Sequence, residues 1–397
     1  MSVANLKLSR PLPVIGTVQS YAWGKIGATS RIYPFLEGFE ATKPLAEYWL
    51  GAHPKAPAEV ILPDDTRIGL DLLFQDGQRL SCMLKVLSIN PDYGLSIQSH
   101  PDSRSAQLLH AREPHNYPDP FHKPEMGVAL TPVTLLYGFR PLPDIARVLE
   151  RFPEIRQVWG ESFCYRLAQA VEAYDPVLMR EMLSLLLRAD RTIVVAAVEA
   201  LMARWGDGVD TPPEMVILRR LYPRYGAADV GLIALFVMNI VSVSPGLGVF
   251  IGPNIPHAYL DGDLVECMAC SDNVIRAGLT TKYTDVESLL ETVSFESATR
   301  PSLLRAKGAT HDFAFFDVPV SDFSLGVVEE GSGVVTCQAR AEPSLLFVLG
   351  EEATVQSLDS GVSVRLGDGG AVLLPGSSGA YEVKRKNASL FWAGSGR

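Results

Sequence analysis

Apolar and polar positions change rhythm twice along this chain. From about residue 10 to 140, short apolar runs such as "PVIGTVQ", "AEYWLGA", "AEVIL", "MLKVLSI", "LSIQSH" and "EMGVALTPVTLLYGF" alternate with Pro- and Gly-rich breaks. Runs of that length between turn formers predict strands with short helices between them. From Pro143 the apolar residues recur every three or four positions, in "LPDIARVLERFPEIRQVW" and again from Cys164 to Gly206. That spacing predicts helices. Asp175-Pro176 predicts the start of one of them, and Gly206-Asp207-Gly208 the end of another. Strand texture resumes at "IVSVSPGLGVFIG" and, after about residue 308, becomes almost unbroken, with short runs at the regular spacing of an antiparallel sandwich or barrel. The reading is mainly β with an α insertion: residues 1–141 and 229–307 form one discontinuous domain, 142–228 a helical domain and 308–397 a C-terminal β domain. "GDGGAVLLPGSSGAYEVK" repeats the plan of "PGLGVFIGPNIPHAYL" but lacks its histidine, so two related β units are expected, one of them without metal ligands.

Composition narrows the classes. With 397 residues, two or three domains are expected, and 47% hydrophobic against 20% charged residues suits a globular chain with a large core. A formal charge of −10 argues against nonspecific nucleic-acid binding, which needs a basic footprint. The amino-terminal residues show no apolar signal region. The uncharged run from Gly231 is long enough to span a bilayer by count, but Asn239, Ser242, Ser244 and Pro245 interrupt it, so no membrane span is expected. Five cysteines, Cys82, Cys164, Cys267, Cys270 and Cys337, form the odd, sparse set of a reduced cytoplasmic protein. Cys267 and Cys270 lie on a strand running into a loop with no second such pair, which favours packing over metal or redox chemistry.

Four positions carry the candidate chemistry: Gln98 and His100 in "LSIQSHPD", Glu125 in "FHKPEMG" and His257 in "GPNIPHAYLDGD". Residues two apart on a strand share a face, so Gln98 and His100 project together. With Glu125 and His257 they make an N/O donor set that suits zinc. Two imidazoles, an amide and one carboxylate leave a bound Zn²⁺ with net positive charge, hence a Lewis acid. A Q-x-H pair by spacing alone is also an ordinary strand feature.

Longer motifs are more specific. "QSYAWGKIG", "AEYWLGAHPKAPA", "LSIQSHPD", "HKPEM", "GFRP", "PHAYLDGDLVECMACSDNVIRAGLTTKYTDV" and "FFDVPVSDFSL" together resemble the type I mannose-6-phosphate isomerases over nearly the full length. The resemblance implies two cupin-type jelly-roll barrels plus a helical domain, and one Zn²⁺ per chain on Gln98, His100, Glu125 and His257. It also implies interconversion of mannose 6-phosphate and fructose 6-phosphate. The partner is then a small sugar phosphate, with no nucleic acid and no membrane, and a cytoplasmic monomer is expected.

An aldose–ketose isomerase removes a proton from C2, returns one to C1 and stabilises an enediol between. Arg276 is the expected enediolate or phosphate contact, and Lys282 a phosphate contact. Lys123 shares the Glu125 face in an extended segment, and Lys85, a lysine in an apolar strand, needs a partner or a polar cavity. Glu266 is the first candidate for proton transfer, because a buried carboxyl has a raised pKa; its alternative is a structural bond to Arg276. Asp272, His122 and Lys85 are its rivals. Ser96 is expected to reach phosphate or sugar, with Tyr259 and Trp23 as pocket walls. Ala22 stands where the family usually has an acidic residue. His53, His110, His115 and His311 are expected to be structural or solvated. Two other readings keep the fold: a metal-dependent cupin oxygenase and a non-catalytic sugar-phosphate-binding cupin.

Overall fold

The computed structural model describes residues 10–73, 80–170, 172–206, 208, 210–295, 301–308, 313–376 and 379–396. His311 and Asp207 lie outside them. Strands dominate, in one 11-stranded and one 10-stranded antiparallel sheet among the described residues. The helical rhythm from Pro143 becomes the helices Leu142–Arg151, Glu161–Ala168, Pro176–Leu187, Arg191–Arg204 and Pro213–Tyr225. Asp175 caps its helix as expected: its carboxylate accepts from the backbone N–H groups of Val177 and Leu178, with Pro176 at the first helical position. The Arg191–Arg204 helix ends just ahead of Gly206.

The uncharged run from Gly231 breaks where its polar residues and turn predict. The Val230–Ala234 helix is followed by the strands Met238–Val243 and Gly248–Ile251. No helix among the described residues is long and apolar enough to cross a membrane.

The strand His257–Ala269 belongs to both halves of the 11-stranded sheet. Its first residues pair with Val133–Phe139 and Gln98, its later ones with Glu125–Ala129 and Cys82–Ile89. Between them the register slips: Leu135 opposes Tyr259 while Thr134 opposes Asp261, which leaves Leu260 as an extra, bulged residue. Gly262 follows at φ +98, and a Cβ there would lie 2.7 Å from the Pro132 carbonyl oxygen. The bulge reverses the alternation, so odd positions before it and even positions after it share one face of the sheet.

Each site-bearing strand is held from behind. Ile97, Ala258, Leu260 and Ile275 join the apolar core of the helices, including Leu183, Leu232 and Phe236. Alternation then turns Gln98, His257, Tyr259 and Arg276 the other way. On the second half, Leu84, Val86, Val265 and Cys267 share a core with Phe347, Leu373 and Phe391 of the C-terminal β segment. Lys85 and Glu266 are left on the opposite face. Cys267 is therefore a packing residue, and Cys82, Cys164, Cys267 and Cys270 carry free thiols.

The C-terminal segment does not close its sheet alone. The strand Leu12–Ile15 pairs with Ala371–Leu374 on one side and Glu59–Ile61 on the other. Arg31 adds a bidentate contact to Asp368 at 2.7 and 2.8 Å. The amino-terminal residues thus bind the C-terminal sheet to the site-bearing one.

Candidate active site

His100, Glu125 and His257 converge, with one ligand atom from each lying within 4.8 Å of the others. All three are almost wholly buried, at 0%, 1% and 0% exposure. His100 follows directly on the strand Ile97–Ser99, Glu125 opens Glu125–Ala129, and His257 opens His257–Ala269. The Nδ1 of His100 lies 2.8 Å from the Asn273 carbonyl oxygen, and that of His257 lies 2.9 Å from the Ile255 carbonyl oxygen. A carbonyl only accepts, so it assigns the proton to Nδ1 and leaves the Nε2 lone pair facing inward.

Those lone pairs meet the carboxylate. His100 Nε2 is 3.1 Å from Glu125 Oε2, and His257 Nε2 is 3.0 Å from Glu125 Oε1. Acceptor facing acceptor is repulsive unless a proton or a cation lies between. Among the described residues His257 Nε2 has no hydrogen-bond partner, and Glu125 Oε2 has the Lys123 ammonium as its ion-pair neighbour, although both atoms are fully buried. Protonation of His100 is disfavoured: burial, then the neighbouring Lys123, holds its pKa at about 4. Burial opposes ionisation of Glu125, but positive charge beside it, the Lys123 ammonium first, outweighs it and holds the carboxyl well below its usual range. The donor chemistry is that of a cation site, and Lys123 already brings its ammonium to 3.2 Å from Glu125 Oε2 and 3.3 Å from His100 Nε2.

Backbone register places the next residues. Gln98 pairs with His257 on one side and with Arg276 on the other. Directly opposed residues of antiparallel strands point to the same face, so His257, Gln98 and Arg276 form a row. Arg276 is not held by Glu266, whose nearest cation is Lys85 at 3.8 Å, nor by Asp272, which binds Lys55 at 2.7 Å. Among the described residues neither Arg276 nor Lys282 forms an ion pair. Burial lowers the Arg276 pKa, against the raising effect of Asp272, Tyr117 and Tyr21. The Lys282 ammonium lies 5.3 Å from the centre of the Tyr21 ring, and partial burial, then Arg276 and Lys55, lower its pKa. Asp272 acts on both cations but is paired with Lys55, so Arg276 and Lys282 leave local positive charge that can attract an anion.

Glu266 and Lys85 face each other across adjacent strands, both almost fully buried. Burial, and then the charge of Glu125, pushes the Glu266 carboxyl up to about 8, against the lowering effect of Lys85 and Lys123. For Lys85, burial acts to lower the pKa, but Glu47 and Glu266 outweigh it and leave it raised. Tyr259 is buried, and among the described residues its hydroxyl has no hydrogen-bond partner; that oxygen lies 2.5 Å from where a Cβ on Gly127 would sit, so glycine makes its space. Burial, then the charges of Glu125 and Glu266, pushes the Tyr259 hydroxyl well up.

Not every candidate is gathered in. His122 is paired with Asp322 of the C-terminal segment at 2.7 Å, and Asp272 is committed to Lys55. Trp23 stacks on Tyr21 with ring centres 5.9 Å apart, and Ser96 is half-buried just ahead of the Gln98 strand. Ala22 is exposed. Two residues without a sequence assignment stand beside Lys85. Its ammonium is 4.3 Å from the Trp49 ring centre, and the Trp49 indole N–H donates to Glu47. The signal was present in "AEYWLGA", where Glu47 and Trp49 are two apart on a strand and Glu47 is a charge inside an apolar run. His110 bonds the Tyr117 carbonyl at 2.7 Å and His115 is exposed, which fits structural and solvated roles.

Comparison with known proteins points the same way. The family model "Phosphomannose isomerase type I, catalytic domain" matches residues 12–142. Mannose-6-phosphate isomerase of Bos taurus is 33% identical, across 94% of this chain and 95% of that protein. The Homo sapiens enzyme of that name is 33% identical across 87% and 88%, and the Candida albicans one 30% identical across 91% and 93%. Among solved structures, a point mutant of phosphomannose isomerase from Salmonella typhimurium superposes with a TM-score of 0.82 at 26% identity, covering 98% of this chain and 100% of that one.

Proposed function

This chain belongs to the mannose-6-phosphate isomerase family, and on that premise we propose that it is a zinc enzyme interconverting D-mannose 6-phosphate and D-fructose 6-phosphate through a cis-enediol. The observation that carries this is the buried His100–Glu125–His257 cluster, whose inward lone pairs require a cation, set in register with the unpaired Arg276. Gln98, His100, Glu125 and His257 would hold the metal. When bound, zinc supplies Lewis acidity towards the oxygens at C1 and C2. The two sheets are read as cupin-type barrels, with the helices of 142–228 as an insertion that backs the site. The unbonded thiols favour a reducing compartment such as the cytoplasm.

The chain's own groups divide the remaining work. Arg276 and Lys282 provide positive charge for the phosphate and the developing enediolate. Glu266 moves the proton between C2 and C1. Its carboxyl is the candidate that faces the cavity beside Glu125, whereas His122 and Asp272 are held by Asp322 and Lys55. A pKa of about 8 would come down when positive charge beside Glu125 offsets that carboxylate, towards the neutral range a general base needs. Lys85, 3.8 Å from Glu266, is placed to give and take the oxygen-bound proton.

Coupled detection of fructose 6-phosphate formed from mannose 6-phosphate, before and after chelation, tests the reading. Activity should vanish with chelator and return with zinc; activity indifferent to chelator would sink the zinc mechanism.

A further inference from the structure

Asp119 lies in the loop ahead of Glu125 and touches none of the proposed ligands. Its carboxylate nevertheless holds three consecutive residues. Oδ1 accepts from the Ser271 hydroxyl at 2.8 Å and from the Asn273 amide at 3.1 Å, and Oδ2 accepts from the Asp272 backbone N–H at 3.0 Å. The Asp119 backbone carbonyl accepts from the same Asn273 amide at 2.6 Å. Asn273 is fully buried, and its own carbonyl oxygen receives the Nδ1–H of His100 at 2.8 Å. Two residues further on begins the strand Ile275–Gly278, which carries Arg276 into register with Gln98.

We propose that Asp119 is a positioning residue that pins Ser271, Asp272 and Asn273, and thereby sets both the orientation of His100 and the entry of the Arg276 strand. The inference rests on the metal reading above. An imidazole that gives its outer N–H to a fixed carbonyl has its tautomer and ring plane set before metal binding. A carbonyl in an unanchored loop would not do so. Without Asp119 Oδ1 and Oδ2, the 271–273 segment keeps the Asp272–Lys55 ion pair, contacts to the Asp119 and Phe121 backbone carbonyls and contacts to its own neighbours, and its carbonyl can move off the His100 axis.

The experiment is zinc affinity of the full chain, by competition with a chromophoric chelator, for wild type, Asp119→Ala, Asp119→Asn and His257→Ala, with thermal unfolding of each metal-free protein. Asp119→Ala should bind zinc about 10- to 100-fold more weakly, the range seen when outer-shell partners are removed. Asp119→Asn keeps an oxygen for Ser271 and Asn273, so it should recover a large part of the loss and stands in if the alanine variant does not fold. At saturating zinc, Asp119→Ala should also lose kcat more than it gains in KM, because Arg276 is displaced. Zinc affinity equal to wild type in both Asp119 variants, while His257→Ala loses it, overturns the inference and leaves the metal reading intact. Zinc affinity unchanged in His257→Ala as well would remove the metal reading and this inference with it.

Discussion

The Nε2 atom of His257 faces Oε1 of Glu125 across 3.0 Å, with the histidine's proton committed to the Ile255 carbonyl on its far side. Buried, with no hydrogen-bond partner on Nε2 among the described residues, this pair calls for a positive charge beside it. His257→Ala should therefore lose metal and isomerase activity together. Metal analysis of the purified variant should show zinc affinity down by at least about 100-fold, beyond the usual effect of outer-shell losses. A variant that keeps stoichiometric zinc would exclude His257 as a ligand.

Arg276 and Lys282 should separate kinetically. Arg276→Ala keeps its metal and loses roughly 10²- to 10³-fold in kcat, as for removal of one donor to a developing oxyanion. Lys282→Ala loses a charge-assisted contact worth ~1.5–3 kcal/mol, which appears mainly as a KM increase of roughly 10- to 160-fold. Steady-state kinetics with metal content measured in parallel decides it; unchanged turnover in Arg276→Ala removes its catalytic role.

Glu266 gives a pH test in the metal-free protein. Its carboxyl is pushed up to about 8 in the fold, far above the ~4.3 of a free glutamate. Between those values the folded chain holds a proton that the unfolded chain has released, so this group's contribution to stability falls as pH rises. Glu266→Gln removes that dependence. Its Tm should fall less than that of wild type between about pH 5 and about pH 8, and kcat should drop about 10²- to 10⁴-fold. Identical Tm profiles would show that Glu266 is not the buried acid described.

Trp49 tests the setting of Lys85. The ammonium sits 4.3 Å from the ring centre, a contact worth roughly 0.5–2 kcal/mol. Trp49→Leu should lower kcat by about that barrier, ~2- to 30-fold, whereas Trp49→Phe, which keeps an aromatic face, should lose less. Equal losses in both would point to the indole N–H bond to Glu47 instead.

How much of this could be read in advance differs by residue. His100, Glu125 and His257 were legible as a candidate cluster because short motifs carry their donor types; Gln98 lies in register beside His257, and the long motif after Pro256 made the family specific. Lys85 and Glu266 were legible as charges in apolar strands, which must find partners or a cavity. Their pairing with each other was not, since it depends on which strand of several lies alongside. His122 and Asp272 share the same motifs but turn to Asp322 and Lys55, contacts made 200 and 217 residues away. Asp119, Glu47 and Trp49 were missed because they act through other side chains.

By itself, the sequence determined the kinds of donor atoms, the alternation that sends Gln98 and Arg276 to one face and Ile97 and Ile275 to the other, and the strand–helix–strand order. These are local properties, set by residue type and by periods of two and 3.6. Long-range packing was needed to show that the bulge at Leu260 turns His257 and Glu266 to one face of the sheet, that Leu12–Ile15 joins the C-terminal sheet, and that Glu125 faces two imidazoles at once. Those outcomes depend on register and on long-range pairing, where a one-residue slip reverses every side chain.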